Sequence, residues 1–487
     1  MILTLKPIYN NLKTKFNQKD FRIIDEAFLF AQEKHKGQKR ASGEDFVLHP
    51  LRVAIELSRL KPEINTIVAA LLHDVLEDTS ATEKEIKEKF GEDVFNLIKS
   101  LSNIKVIQRK ITDRSKNLIK LENLRNLILA TSKDVRVILV KLFDRLDNMR
   151  SAWALSAESQ YKNGVETLEI FAPLCYRLGL GYLGQLLEEV SFPYVYPKEF
   201  MAIKNKVADY YYRIEKLLNN SRDEMLIYFK ENRFVPLEIQ FRKKTFSSIY
   251  RKLKKEGSFE KIYDIIAFRV LTKNINDCYV ALGLIHRLWL PIPDRLKDYI
   301  ALPKPNGYKA IHTTVLTNNN QIVEVQVMSQ DMFYNNEYGV AAHWIYNLTK
   351  ETKQYAKRQK ISGASVLYSS LRDIDIENIE PQKLFEVLTN DILSEQIFVV
   401  TPEGDVLDLK AGSTPLDFAY KIHSDVGNRC KMAKVNNHLV PLGYKLSSGD
   451  VVEIITNKKQ KPSKKWVELA KMTETKRKII DGIRKTK

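Results

Sequence analysis

The sequence predicts a multidomain protein in three parts: an all-helical N-terminal region, a mixed α/β domain in the middle and a small β-rich module near the C-terminus. Three observations carry that division. The chain has 487 residues, more than the roughly 250–300 that one hydrophobic core serves. Apolar residues recur at helical spacing in its first third, as in Phe21, Ile24, Ala27, Phe28 and Ala31. Beyond residue 233 the texture changes to short runs rich in β-branched residues, punctuated by turn formers.

The elements follow in order. Thr82 with Glu85 has the form of a capping box, and the helix it opens is expected to stop before Gly91. Val135 to Met149 reads as a second helix, and His49 stands at the head of a third, just before Pro50. In the middle, FVPLEIQF, YDIIAFRVL, AIHTTVLT and IVEVQVM are strand-like, and the last two flank an Asn318-Asn319-Asn320 turn. Residues 349–394 are charged and weakly periodic, as a linker would be. From 396, short strands broken by Pro402-Glu403-Gly404, Gly412 and Gly449-Asp450 close on VVEIIT. The expected parts are therefore 1–190, 191–348, the linker 349–394, the module 395–457 and a basic helical tail 458–487, with its helix at Lys471 to Lys485.

Composition narrows the function classes. With 44% hydrophobic and 28% charged residues the chain is ordinary globular protein. No apolar run approaches the ~20 residues of a membrane span, and the N-terminus lacks a signal-peptide core, so no membrane partner and a cytoplasmic location are expected. Cys175, Cys278 and Cys430 are scattered, without the CxxC spacing of a zinc or redox pair. The net charge is +18, and residues 458–487, with twelve Lys or Arg against three acids, hold half of it. That tail is either a contact for RNA or another polyanion or a solvated basic face.

The first candidate site lies in Leu71-Leu72-His73-Asp74-Val75-Leu76-Glu77-Asp78-Thr79. Read as one helix, it puts His73 above Glu77 and Asp74 above Asp78 on neighbouring stripes. Carboxylates inside an apolar helical stretch are costly to bury unless a cation compensates them. With His49 and with Asp144, one turn before Asn148, they make two imidazoles and two carboxylates. That set suits a divalent metal such as manganese with room for water and a phosphate oxygen. A lone His-Asp pair is usually incidental; four positions in this order are harder to dismiss.

The second candidate is Arg295-Leu296-Lys297-Asp298-Tyr299-Ile300-Ala301-Leu302-Pro303-Lys304-Pro305-Asn306-Gly307-Tyr308. Cations for polyphosphate, a tight bend at Asn306-Gly307 and an aromatic face at Tyr308 suit a nucleotide cradle. Arg242, Lys244 and Lys252 form a second basic segment upstream. Asp264 opens a strand, and Glu324 and Gln326 alternate onto one face of a later one. Asp264 and Glu324 suit Mg²⁺ between phosphates, as phosphoryl or pyrophosphoryl transfer requires.

These strings occur in a known order. HKGQKRASGEDFVLHP, HDVLEDT and KLFDRLDNMR, then FAPLCYRLG, then YDIIAFRV, RLKDYIALPKPNGYKAIHTTV, EVQV and EYGVAAHW resemble the long Rel/SpoT enzymes of the bacterial stringent response. The module near 396–457 resembles a TGS domain. The resemblance implies an all-α HD hydrolase domain, a nucleotidyltransferase-like α/β synthetase domain and a β-grasp-like TGS domain. It implies two opposed activities: Mn²⁺-dependent removal of the 3′-pyrophosphate of guanosine tetra- or pentaphosphate, (p)ppGpp, and its ATP-dependent installation on GDP or GTP with Mg²⁺. By this resemblance His49, His73, Asp74 and Asp144 are the manganese ligands, Glu77 and Asp78 handle the attacking water, and Arg40 and Asn148 line the substrate pocket. Asp264 and Glu324 are the synthetase acids, with Glu324 activating the 3′-hydroxyl. Tyr308 stacks on guanine, and Arg242, Lys244, Lys252, Lys297, Lys304 and His312 surround phosphates. The Arg295-x-Lys297-Asp298 form is that of bifunctional members.

Some positions depart from the family pattern. Asp147 stands where a His is usual and Ala41 where a Lys is common. In the synthetase part Phe241, Ser247, Met328 and Phe333 replace a usual Gly, Tyr, Arg and His. A hydrolase whose synthetase domain is weak or only binds nucleotide is therefore the alternative. Long members continue into regulatory modules beyond the TGS-like part, which this sequence lacks, and ribosome or tRNA contact is expected only through that part and the basic tail.

Overall fold

The computed structural model describes residues 16–110, 134–259, 262, 264–304, 307–338, 396–403, 406–447, 449–457 and 459–485. They form two compact units, with residues 16–338 in the first and 396–485 in the second. The expected linker 349–394 lies outside the described residues.

The first unit begins with helices α1 (Gln18–Lys34), α2 (Leu48–Leu57), α3 (Ile64–Leu72), α4 (Val75–Asp78), α5 (Glu83–Lys110) and α6 (Val135–Arg150). Ile24, Ala27, Phe28 and Ala31 form the buried stripe of α1. Helix α3 is apolar on all sides and packs against α1, α2, α5 and α6. The Thr82–Glu85 capping box forms: Thr82 N–H donates to Glu85 Oε2 at 2.7 Å and Glu85 N–H to Thr82 Oγ1 at 3.2 Å. Gly91, at φ 86°, ψ 168°, breaks the helix as expected, but helical structure resumes beyond it.

The segment after Leu72 differs from the expected single helix. The chain leaves α3 at His73, turns through Asp74 (φ −98°, ψ −9°) and starts the short α4. Neighbouring residues on a continuous helix point about 100° apart, because 3.6 residues fill each turn. The turn instead brings His73 Nε2 within 3.3 Å of Asp74 Oδ2.

Helices α7 (Ala157–Glu166), α8 (Ala172–Arg177), α9 (Gly181–Val195) and α10 (Pro197–Glu231) lead into the α/β part. The expected boundary at 190 falls inside α9. Strand β1 (Glu238–Lys243), helix α11 (Phe246–Glu256), β2 (Ile266–Thr272), α12 (Ile275–Leu288), β3 (Leu290–Pro291), β4 (Lys297–Asp298), β5 (Ile311–Leu316) and β6 (Ile322–Ser329) follow. The sheet order is β1-β2-β6-β5-β3, with β4 also paired to β5; β2 and β6 are parallel and the other pairs antiparallel. Val323, Val325 and Val327 face a core shared with Phe268, Val270, Trp289 and the Ile203, Val207, Ile214 and Leu218 stripe of α10. The alternate residues Glu324 and Gln326 occupy the other face.

Helix α9 grips the start of α11. The buried Glu188 carboxylate accepts from both Arg251 Nη atoms at 2.5 and 2.9 Å and from Ser247 Oγ at 2.9 Å, while Glu189 Oε2 accepts from Phe246 N–H at 3.0 Å.

In the second unit, β7 (Gln396–Val400) and β8 (Val406–Lys410) form a hairpin, and β9 (Cys430–Val435), β10 (His438–Val440) and β11 (Val452–Thr456) a sheet of order β10-β9-β11. A parallel bridge from Val400 to Val451 joins the two. Helix α13 (Pro415–Ile422) covers them, followed by α14 (Ser424–Asn428). The basic segment 458–487 contributes α15 (Lys464–Leu469) and α16 (Thr473–Lys485). Its charge faces outward, but Trp466, Ala470 and Ile479 pack with Leu416, Ala419, Tyr420 and Cys430, so it is part of the module's core.

Asp417 fastens this segment. Its fully buried carboxylate accepts from Thr414 N–H at 2.9 Å and from the Lys471 and Met472 N–H groups at 2.9 and 3.0 Å. Removing it leaves buried donors unmatched. Asp417→Ala should therefore cost about 2–4 kcal/mol, measured as a lower urea midpoint of the second unit and faster amide exchange at Lys471 and Met472.

Candidate active sites

The helical part gathers four ionisable side chains, each no more than 2% exposed: His49, His73, Asp74 and Asp144. His49 comes from the first turn of α2, His73 and Asp74 from the break after α3, and Asp144 from the inner face of α6. His49 Nε2 lies 3.2 Å from Asp144 Oδ1 and 3.6 Å from Asp74 Oδ2, and His73 Nε2 lies 3.9 Å from Asp144 Oδ1. Ligand atoms of His49, His73 and Asp74 fall within 4.8 Å of one another, close enough to share one ion.

The donor set fits a divalent cation. His73 Nδ1 is 2.8 Å from the Ala70 carbonyl, which can only accept, so Nδ1 carries the proton and Nε2 faces the cluster. His49 Nδ1 is held in the same way by Asp147 Oδ2 at 2.7 Å. Burial opposes the charged form of His49, yet hydrogen bonds to Asp144 and Asp147 carry its pKa above the ordinary value. Burial likewise opposes ionisation of Asp144, but Lys141, His49 and His73 hold its carboxyl well below the usual range. The cluster therefore holds the Asp144 carboxylate, with Asp74 beside it, inside an apolar bundle. That is what a cation would neutralise.

Around it stand the other expected residues. Glu77 and Asp78 sit half-buried on α4, one turn beyond the metal-type ligands. Asn148 Nδ2 donates to Asp144 Oδ1 at 2.5 Å, and Arg40 donates to Asn148 Oδ1 at 2.5 Å and to Asp147 Oδ2 at 3.1 Å. The sequence reading gave no site role to Asp147, noted only as a departure from the family pattern, and passed over Arg52, Glu44 and Lys141. Asp147 shares a face of α6 with Asp144 and Asn148 at i+3 and i+4, a signal the spacing did carry.

The second site lies on the polar face of the larger sheet. The register places Arg269 opposite Gln326 and Gln326 opposite His312, one row across β2, β6 and β5. His312 Nδ1 lies 3.2 Å from Glu324 Oε1, and Gln326 Nε2 donates to the same oxygen at 2.7 Å. Burial pulls His312 below its ordinary pKa, so the neutral ring donates from Nδ1 and accepts at Nε2 from the Tyr308 hydroxyl, 2.7 Å away. Burial works against the Glu324 carboxylate, but His312 and Gln326 bring it to about 2. Lys304 Nζ stands over the Tyr299 and Tyr308 rings at 4.6 and 5.0 Å.

Asp264, just before β2, is paired with Lys244 and with Lys252 at 2.8 Å. Among the described residues its Oδ1 is buried without a hydrogen-bond partner, as is Gln326 Oε1. Burial draws Lys244 below the usual lysine range despite that pairing. Arg242 on β1 acts electrostatically on Glu324, His312, Tyr308 and Lys244. Lys297 is exposed in register with His312, Arg295 is exposed on the preceding turn, and Asn306 lies outside the described residues.

Three substituted positions are packed rather than vacant. Ser247 donates to Glu188, Met328 is 1% exposed beside Leu271, Ala310 and Met332, and Phe333 carries the Arg269 guanidinium over its ring at 4.9 Å.

The Glu324 shift has a testable sign. A carboxyl lowered from 4.5 to about 2 stabilises the fold fully above 4.5 and loses that contribution as pH falls toward 2. Glu324→Gln should cost on the order of 1–3 kcal/mol near pH 7, and the gap in urea midpoint from the parent should narrow between pH 5 and pH 3.

Three family models match the chain in order: an HD domain over residues 27–181, a region found in RelA / SpoT proteins over 241–351, and a TGS domain over 397–456. The guanosine-3′,5′-bis(diphosphate) 3′-pyrophosphohydrolase of Aquifex aeolicus is 41% identical over 95% of this chain and 64% of its own length. The GTP pyrophosphokinase of Myxococcus xanthus is 41% identical over 94% and 60%, and the bifunctional (p)ppGpp synthase/hydrolase SpoT of Escherichia coli 37% over 96% and 66%. The chain thus spans 60–66% of the length of these relatives. With three such regions in sequence and 37–41% identity across more than nine-tenths of its residues, the chain belongs to the family of RelA and SpoT proteins.

Proposed function

We propose that this chain is a cytoplasmic enzyme that both degrades and makes (p)ppGpp, hydrolysing its 3′-pyrophosphate at the helical site and transferring pyrophosphate from ATP to the 3′-hydroxyl of GDP or GTP at the sheet site. The observation that carries the reading is the convergence of His49, His73, Asp74 and Asp144 in one buried pocket.

In the hydrolase these four residues would hold Mn²⁺, which would supply polarisation of a phosphoryl oxygen. Glu77 and Asp78 take the proton of the attacking water. Its oxygen joins the phosphorus next to the ribose, the bond from that phosphorus to the 3′ oxygen breaks, and the 3′ oxygen leaves with a proton, giving GDP or GTP and pyrophosphate. Arg40 and Asn148 exchange their contacts with Asp147 and Asp144 for contacts with substrate.

In the synthetase, Glu324 accepts the proton of the 3′-hydroxyl as that oxygen bonds to the β-phosphorus of ATP and AMP departs. A carboxylate held near 2 is a weak base. Nucleotide that takes over the Gln326 amide and His312 would restore its basicity. Asp264 Oδ1, which has no hydrogen-bond partner among the described residues, suits Mg²⁺ brought in with ATP, and Arg242, Lys244, Lys252, Lys297 and Lys304 provide phosphate contacts, with Tyr308 against guanine. Ser247, Met328 and Phe333 are packed into the fold, and similarity to a GTP pyrophosphokinase and to a bifunctional (p)ppGpp synthase/hydrolase supports a working synthetase over one that only binds nucleotide. The outward basic face of the second unit is proposed to touch ribosomal RNA or tRNA.

Paired assays test this, one with ATP, GDP and Mg²⁺ and one with guanosine tetraphosphate and Mn²⁺. His73→Ala should lower hydrolysis by about a thousandfold or more and spare synthesis, and Asp264→Ala should do the reverse. Loss of both activities from either folded variant would overturn independent sites. No product in the first assay would overturn synthesis.

A further inference from the structure

We infer that Asp147 is a positioning residue for the metal site, fixing the tautomer and orientation of His49; the inference rests on the reading of the cluster as a metal centre. An imidazole coordinates through a neutral ring nitrogen, and its other nitrogen must donate to an acceptor if the ring is to be held in one tautomer. Asp147 supplies that acceptor: its Oδ2 is 2.7 Å from His49 Nδ1, and the two residues are 3% and 2% exposed. An ionised carboxylate can only accept. A proton is therefore held on Nδ1, and Nε2 is the ring nitrogen turned toward Asp144 and Asp74, where an ion would take the place of its proton.

The carboxylate is itself held. Arg52 donates Nε to Oδ1 at 2.6 Å and Nη2 to Oδ2 at 3.0 Å, and Arg40 donates to Oδ2 at 3.1 Å. Arg52 is in turn clasped by both oxygens of Glu44 at 2.6 and 3.0 Å. A chain Glu44–Arg52–Asp147–His49 thus runs from the half-buried edge of the bundle to the ligand ring. The two histidines differ here. His73 is oriented by a main-chain carbonyl that no substitution removes, whereas His49 depends on a side chain. That side chain stands at the position noted above as a departure from the family pattern. It also makes the ring more basic, and so a stronger ligand.

The competing explanation is that Asp147 only neutralises Arg40 and Arg52. Mn²⁺ binding to the purified full chain, measured by isothermal titration calorimetry, separates the two. Asp147→Asn should raise the Kd for Mn²⁺ by about 10- to 100-fold, with hydrolysis recovering as Mn²⁺ is raised. Arg52→Met, which removes the main ion pairs but leaves the Nδ1 acceptor, should lose several-fold less. Unchanged affinity in Asp147→Asn, or an equal loss in Arg52→Met, overturns the positioning role.

If Asp147→Asn does not fold, as judged by circular dichroism, the parent chain loaded with Zn²⁺ decides. Long-range ¹H–¹⁵N correlation should find His49 protonated at Nδ1 and metal-bound at Nε2; the opposite tautomer overturns the inference. A parent chain that binds no Mn²⁺ removes the metal reading and the inference together. Binding in the parent that equals binding in Asp147→Asn removes the inference alone.

Discussion

The structure of the helical part depends on one electrostatic constraint: His49, His73, Asp74 and Asp144 are withdrawn from water into an apolar bundle. Unpaired charge in such a place is strongly unfavourable, so every one of these groups is tied to another. The ties dictate local structure. Helix α3 ends at Leu72 because His73 and Asp74 must converge, and Asp144 is braced by Lys141 and Asn148 from its own helix. Stability is thereby spent on holding a geometry, as is usual where backbone regularity gives way near a site.

The sheet site obeys a different rule. There the strand period of two does the sorting, sending Val323, Val325 and Val327 into the core and Glu324 and Gln326 to the opposite face. The parallel pairing of β2 with β6 then sets which cations can reach them. Polar groups in this part are held by one another in short relays such as Tyr308–His312–Glu324. Any ligand that engages Glu324 or His312 must replace those contacts group for group.

Much of this was legible in the sequence. The stripe of α1, the box at Thr82 and Glu85, the strands β5 and β6 and the four-residue cluster all follow from period, capping chemistry and composition. The break at His73–Asp74 was not legible, because helix propensity carries straight through it and only the tertiary demand for convergence interrupts it. Asp147 was visible as an odd residue, but its contact with His49 spans 98 positions and no local pattern encodes it. The basic segment read as a polyanion contact or a solvated face, and not as core, because its charges outnumber the few apolar residues, Trp466, Ala470 and Ile479, that fix it to the module.

Glu188 and Glu189 have a mechanical consequence. They hold the first turn of α11 at Phe246 and Ser247 and its second at Arg251, and the next residue, Lys252, is one of the two cations on Asp264. Helix α9 also packs on α6, the helix that carries Asp144, so the buried acid cluster and the cations on Asp264 are built against one and the same helix.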